Sequence, residues 1–303
     1  MASSRLFKFD FDRVHFGEAG LESSTIGCAA DTLYSALCIT ALRMGGQGLL
    51  DELVAAATLR LSDLMPYIGA RYLVAKPLYA VQAESSSVQK KAAKKVGFIP
   101  VDQLGDFLAG RADLEELAAL QARIGVHAVA AKASIHTGGD DAEPYRVGYF
   151  QFAADAGLWL LATGSDPEMD LLANVLDGVS ALGGERTAGY GTFTLTEATP
   201  PPELTTSSAA ESFMTLTTAL PADDELDQVL SGATYRLVLR SGFIASSGYA
   251  ETARRKRDLY KLAAGSVFTR TFDGVIADVG SGGAHPVYSF ARPLFLALPE
   301  TIA

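Results

Sequence analysis

Residues 183–193 read GGERTAGYGTF: four glycines around Arg186, Thr187 and Tyr190, set between a helix-periodic stretch and a strand-periodic one. That placement limits the fold. Loops that cradle nucleotide phosphates run strand, glycine loop, helix, because the phosphate sits at a helix N-terminus. Here the order is reversed, and the dipole at a helix C-terminus points the wrong way for phosphate. The loop also lacks a Lys-Ser/Thr ending and the GxGxxG spacing. These features argue against a P-loop or dinucleotide-binding fold and against a phosphate-binding metabolic enzyme.

The surrounding pattern supplies an alternative. RLFKFDF (5–11) alternates strictly and places Phe7, Phe9 and Phe11 on one strand face. ADTLYSALCITALRMGG (30–46) reads as a helix capped by Asp31, striped by Leu33, Leu37, Ala41 and Met44, and stopped by Gly45 and Gly46. A second helix is expected over 49–57. VAAKASIH (129–136), the turn TGGDDAEP and YRVGYFQF (145–152) read as a long hairpin. GLWLLATG adds a strand containing Trp159, a core residue by its apolar setting. From Pro167, apolar residues at Leu172, Val175, Leu176, Val179 and Leu182 predict a helix. After the glycine loop, TFTLTEA predicts the last strand. The order strand, helix, strand, strand, helix, strand is the ferredoxin-like split βαβ.

At 303 residues the chain has room for two domains. PPPELTTSSAAE (200–211) has linker composition, and the pattern then restarts with a strand (FMTLTTAL), an acid-started helix (DDELDQVLSG) and a strand (TYRLVLRSGF). The expected fold is α+β: two ferredoxin-like (RRM-like) domains, 1–199 and 212–303. The first would carry the glycine-rich loop and an inserted region, about 71–145, with a thumb-like β-hairpin.

Charge is segregated. The net charge is −10, which argues against a protein that coats nucleic acid indiscriminately. Yet QKKAAKK (89–95) holds four lysines, Lys90, Lys91, Lys94 and Lys95, and no acid, and RRKRDLYK (254–261) holds five basic residues against one acid. Two basic patches on an acidic body suit a confined anionic partner, with the remainder facing other proteins; two solvated faces are the plainer alternative. The two cysteines, Cys28 and Cys38, form no CxxC, and a reducing compartment fits. The N-terminus lacks a signal-peptide core, and no apolar run approaches the roughly 18 residues of a membrane span. A cytoplasmic location without membrane contact is expected.

The loop itself offers exposed backbone N–H groups plus Arg186, Thr187 and Tyr190. An arginine can fork onto phosphate, a threonine can donate its hydroxyl, and a tyrosine can stack on a base, a set suited to single-stranded RNA. A helix stop followed by a tight turn explains the same glycines.

GGERTAGYG in this setting resembles the glycine-rich loop of the RAMP superfamily, the RNA-binding subunits of CRISPR effectors. FDFDRVHFG (9–17), ADTLYSAL (30–37), RKRDLYKLAAGSVF (255–268) and HPVYSFARPLFL (285–296) resemble, in order and along nearly the whole chain, the family of fourth Csm subunits of type III-A complexes. The 71–145 region carries the fewest of these motifs. The resemblance implies a subunit that holds the constant 5′ repeat-derived handle of the crRNA. It also implies two protein partners, the large polymerase/nuclease-like subunit and a backbone RAMP subunit. By position, Gly184, Arg186, Thr187, Gly189, Tyr190 and Gly191 match the RNA-gripping loop. Arg255, Lys256, Arg257, Tyr260 and Lys261 match a basic segment, and the hairpin around Gly138 and Gly139 is the thumb candidate. The acidic balance departs from a simple RNA binder and implies weak RNA affinity for the isolated subunit.

Some RAMP proteins cleave RNA, and metal-independent cleavage needs a base near the 2′-hydroxyl. His15, after the first strand, is the candidate base of that runner-up reading, a precursor-crRNA endoribonuclease. The alternative we prefer is that His15 holds its loop through a backbone carbonyl. His136 and His285 sit in turns, and Asp140 and Asp141 are a hairpin tip. No His/Cys spacing suggests a metal site, and no cofactor is implied. The expected protein is therefore a non-catalytic binding and scaffolding subunit.

Overall fold

The structure, a computed structural model, describes residues 3–17, 20–78, 94–134, 143–204, 210–246 and 248–298. Its centre is a seven-stranded sheet whose pairings are all antiparallel. In spatial order it runs Phe193–Ala198, Ser3–Phe11, Ala156–Gly164, Met65–Ile68, Arg71–Ala75 and Phe98–Pro100, with Arg60–Leu61 also paired to Ala156–Gly164. Alternation in the first strand buries Phe7, Phe9 and Phe11 on the face covered by the helices Ala30–Ala55 and Asp166–Asp177. Leu6 points the other way, into a core shared with Trp159, Met214, Leu216, Val267 and Leu296. A one-residue slip would carry all three rings to the wrong face, so the register is strongly specified. Residues from the segment after 212 thus cover the sheet's second face, and the two expected units share a core.

Several local expectations shift. The double glycine interrupts the first helix as expected: Gly46 takes φ 68° and ψ −156°, outside helical geometry, so Ala30–Ala55 is two helical stretches meeting at a kink, the second running to Ala55. Leu33, Leu37 and Ala41 are buried, but Met44 is exposed. Asp31 is not the cap. The cap residue is Ala29, and Asp63 from a neighbouring loop accepts from the Ala30 N–H at 2.8 Å. The other helix carries a capping box at Ser165 and Glu168 and ends at Asp177, so residues 178–182 separate it from the glycine loop. Hydrogen bonds also reach Glu168 from Thr58. Burial would raise the Glu168 pKa, but the donors at Thr58 and Ser165 outweigh it and bring it down to about 2.

The long hairpin forms from Gly125–Ser134 and Glu143–Phe152, and a short strand, Arg13–Val14, joins its second arm. Its tip, with Gly138, Gly139, His136, Asp140 and Asp141, lies outside the described residues, as do Lys90, Lys91 and linker residues 205–209. After 212 the described residues form separate short ladders. Phe213–Thr215 lies between Val267–Phe268 and Phe295–Ala297, Leu237–Arg240 pairs with Leu259–Leu262, and Val275–Asp278 pairs with Tyr288–Ala291. One five-residue α-helix, Leu226–Leu230, stands where the acid-started helix was expected. No helix among the described residues is long and apolar enough to cross a membrane.

Candidate nucleic-acid interface

The glycine loop is anchored at both ends to the chain just after the first strand. The Gly184 N–H donates to the His15 carbonyl and the Gly191 N–H to the Arg13 carbonyl, each at 2.9 Å. Leu182 and Gly191 close the loop's neck, and a Cβ on Gly191 would lie 1.8 Å from the Leu182 carbonyl oxygen. With φ at 75° as well, that position demands glycine for backbone approach alone. Between the anchors, Arg186–Ala188 forms one 3₁₀ turn, and Arg186, Thr187 and Gly189 are exposed at its tip. The loop therefore presents a charged, donor-bearing turn on a rigid base.

His15 belongs to that base. It is 6% exposed, and its Nδ1 lies 2.6 Å from the Gly148 carbonyl oxygen in the long hairpin. Its own carbonyl holds Gly184. It thus ties the hairpin to the loop, as the backbone-carbonyl alternative requires, with its side chain buried.

Tyr190 is corrected in role. Its ring is 4% exposed, so a base cannot stack on it. It meets Tyr149 edge-on at 5.5 Å, with the Arg13 guanidinium 4.9 Å and the Lys132 ammonium 4.5 Å from its centre. Strand register explains the gathering. Arg13 opposes Gln151 and Lys132 opposes Tyr145, so both share the hairpin face that carries Tyr149. Composition gave no sign of Arg13 or Lys132, since neither lies in a basic run; the alternation of the two strands was the available signal.

The basic segment splits. Leu259–Leu262 pairs with Leu237–Arg240, setting Tyr260 opposite Leu239 and Lys261 opposite Val238. Tyr260 faces outward, 60% exposed, while Lys261 is fully buried. Lys261 is therefore corrected from RNA contact to internal ion. Its three protons have three acceptors: Asp31 at 3.0 Å, the Ser289 hydroxyl at 2.9 Å and the Phe290 carbonyl at 2.7 Å. Burial lowers its pKa on balance, and the Asp31 carboxylate opposes that. Arg240 grips the same carboxylate with two nitrogens, at 2.9 and 2.7 Å. Burial would raise the Asp31 pKa, but Lys261 and then Arg240 hold it well below the usual carboxylate range.

Arg255 and Arg257 are exposed, and Lys256 is half-buried, its pKa pushed down by burial. Arg255 donates to the Ser241 hydroxyl at 2.9 Å, and Arg257 donates to the Asp278 carbonyl. Lys94 and Lys95 are exposed on the sheet's far side, beside Phe98–Pro100. Lys94 and Lys95 thus sit at the sheet edge opposite the glycine loop.

A second surface is apolar. Leu237, Leu239 and Tyr260 share the outer face of the ribbon, 56%, 46% and 60% exposed. Beside them, Leu226, Leu230, Tyr235 and Pro221 help line a cavity of about 250 Å³. Among the described residues no group of three or more His, Cys, Asp or Glu is placed to hold a metal ion.

Comparison with known proteins agrees along the length of the chain. Residues 208–298 match the CRISPR Csm4 C-terminal domain. The chain is 68% identical over 301 residues to the CRISPR system Cms protein Csm4 of Mycobacterium tuberculosis (strain ATCC 25618 / H37Rv), covering 99% of this chain and 100% of the relative. It is 33% identical over 310 residues to the Streptococcus thermophilus protein of the same description, covering 97% and 98%. Among solved structures, the Csm3–Csm4 subcomplex of the type III-A CRISPR–Cas interference complex contains a chain that superposes with TM-score 0.68 at 16% identity, covering 98% of this chain and 100% of that one. The Csm1–Csm4 cassette in complex with pppApA gives TM-score 0.62 at 18% identity, covering 98% of each chain.

Proposed function

From the premise that this chain belongs to the Csm4 family of type III-A CRISPR effector subunits, we propose that it is a non-catalytic RNA-binding subunit. In this reading it holds the 5′ handle of the crRNA and docks the large polymerase/nuclease-like subunit onto the RAMP backbone. The observation that carries the proposal is the glycine loop: Arg186 and Thr187 stand exposed on a turn pinned by His15 and Arg13, with nothing among the described residues covering them. A rigid, donor-rich projection is what phosphate gripping needs.

The finer fold assignment is part of the same proposal. Ser3–Phe11, Ala30–Ala55, Met65–Ile68, Ala156–Gly164, Asp166–Asp177 and Phe193–Ala198 run strand, helix, strand, strand, helix, strand. Their strands lie in the spatial order fourth, first, third, second, which supports a ferredoxin-like first unit. The long hairpin, inserted between the second and third of these strands, is the thumb in this reading. For the second unit, 212–303, the ferredoxin-like assignment rests on the sequence pattern alone: among the described residues only Leu226–Leu230 is helical there, and six strands follow it.

The protein partner is assigned to the apolar outer face of the ribbon. Structures of relatives hold Csm4 together with Csm1 or with Csm3, and a face of exposed leucines and tyrosine beside an apolar cavity suits a protein neighbour. We assign it to the large subunit. Burial of His15 favours binding over cleavage.

A low-salt affinity purification of the tagged chain from its own cells, with sequencing of the small RNA retained, tests the proposal. Short RNAs sharing one constant 5′ end, recovered with several larger subunits, support it; a chain recovered without RNA or partners overturns it.

A further inference from the structure

The ribbon changes character along its length. Where Leu237–Arg240 pairs with Leu259–Leu262, its outer face is apolar. Just beyond, Phe243 bridges Arg255, although the ladder's register would have set it opposite Lys256. The return strand therefore carries an extra residue there, and such a bulge re-aims the side chains beside it. Backbone bonds of 2.9 Å hold the bridge, from the Lys256 N–H to the Gly242 carbonyl and from the Ile244 N–H to the Arg254 carbonyl. The Arg255 guanidinium lies 5.8 Å from the centre of the Phe243 ring. The Ser241 hydroxyl, accepting from it at 2.9 Å, fixes it in that position.

Phe243 is 66% exposed, the largest fraction of any large apolar side chain among the described residues. An exposed ring alone needs no explanation; the charges around this one do. Arg254, Arg255 and Arg257 are all exposed, and none forms an ion pair among the described residues. Asp31 takes its cations from Arg240 and Lys261 instead. The Asp278 carboxylate accepts from the Gly280 and Val287 N–H groups, and Arg257 donates to that residue's backbone carbonyl. Three like charges within 254–257 suit a partner whose negative charge repeats closely, as it does at every nucleotide of a nucleic acid. An open aromatic ring among them suits the flat face of a base. Tyr190 is buried, so the glycine loop itself offers no ring for that contact.

We infer that Phe243, backed by Arg255, is a stacking platform for one unpaired base of single-stranded RNA, with Arg254 and Arg257 available to the phosphates beside it. The inference rests on the RNA-binding reading and adds to it a base-contacting site on the ribbon, away from the phosphate-gripping loop. Arg255 occupies one side of the ring, and the rest of the ring stands in water. A base laid on it removes two apolar faces from solvent at once. Because every base has such a face, the platform selects unpaired over paired nucleotides and reads little sequence, with purines favoured by their larger area. The guanidinium, already held by Ser241, loses little freedom when RNA arrives.

Fluorescence anisotropy with the full chain at low salt tests this, using two labelled probes: a short oligoadenylate, and a ribose-phosphate chain of the same length without bases. Phe243→Ala should weaken oligoadenylate binding on the order of tenfold and leave the baseless chain unaffected. Its unfolding curve should match wild type, since the ring is mostly in water. Phe243→Trp, which keeps a stacking face, should bind oligoadenylate at least as tightly as wild type. Arg255→Ala should weaken both probes, because it removes a charge as well as the ring's support. Equal weakening of both probes by Phe243→Ala would mean that the ring only positions Arg255, and would overturn the platform. No change with either probe would overturn it too, and loss of a protein subunit from the complex purified through that variant would then give the ring to a protein interface. Wild type that binds the baseless chain as tightly as oligoadenylate, or binds neither, also removes the platform. The RNA-binding reading is decided separately, by guide RNA in the purified complex. Guide RNA released by Arg186→Ala leaves that reading standing without the platform, and a wild-type complex devoid of guide RNA removes both.

Discussion

The Asp31 carboxylate, in the first turn of the first helix, lies 3.0 Å from the ammonium of Lys261, 230 positions later in the chain. With Arg240 on its other side, it joins the sheet's first helix to the outlying ribbon as one buried electrostatic unit. Removing the charge strands two cations, which costs about 3–5 kcal/mol in buried pairs. If Asp31 only capped the helix, asparagine would replace it at almost no cost. We expect Asp31→Asn to lose about 3 kcal/mol or more of unfolding free energy in urea denaturation. A loss within about 0.5 kcal/mol would return Asp31 to the role of a cap.

The same group sets an acid limit. Its folded pKa lies below the unfolded value, so its contribution to stability is fully present above the ordinary Asp pKa, about 4. The contribution disappears as pH falls below that value toward the folded pKa. Asp63 acts in the opposite sense, because burial raises its pKa despite hydrogen bonds from Thr218 and Ala30. Thermal unfolding of wild type and Asp31→Asn from neutral pH downward should therefore show the gap between them narrowing below about pH 4. A gap that stays constant would mean Asp31 carries no depressed pKa.

Arg186 is exposed and holds no ion pair among the described residues, so Arg186→Ala should leave the fold unchanged. It should weaken crRNA retention by about 1.5–3 kcal/mol, the range of a charge-assisted hydrogen bond. The measurement is the fraction of guide RNA retained by the assembled complex as salt is raised. Wild-type retention by the variant would reduce the glycine loop to a structural turn.

Within the basic segment, burial sorts the residues. Arg255→Ala should lower the slope of log affinity against log salt by about 1 if Arg255 neutralises a phosphate. Lys261→Met should leave that slope unchanged and lower stability instead, since its ammonium touches no solvent. A slope altered by Lys261→Met but not by Arg255→Ala would invert this assignment.

How far the site can be read from the sequence depends on the range of the interaction. Alternation places Phe7, Phe9 and Phe11 correctly, and local pattern finds the hairpin and the final strand, because each is set by residues within one strand or turn. Asp31 and Lys261 are misread for the opposite reason. Each has a sufficient local explanation, a helix start and a basic run, while the partner that decides its role is 230 positions away. The period-two pattern of DLYKL did hint that Lys261 and Tyr260 face opposite ways. Tyr190 looks like a stacking residue until the hairpin face closes over it. Arg13 and Lys132 attract no notice in the sequence because strand register, not spacing, brings them together.

The ribbon's outer face gives the last prediction. Leu237 and Leu239 are too exposed to stabilise the free chain much, so Leu239→Asp should change its unfolding free energy by no more than about 0.5 kcal/mol. At the centre of a protein interface the same substitution should cost about 2 kcal/mol or more, roughly a thirtyfold loss of affinity. Co-purification through the tagged chain should then lose the large subunit while the backbone subunits and the guide RNA remain. That selective loss would separate docking from RNA capture, since the apolar face and the glycine loop lie on different elements. Simultaneous loss of RNA and partner would show that the two are not independent, and retention of the large subunit would move the docking site off this face.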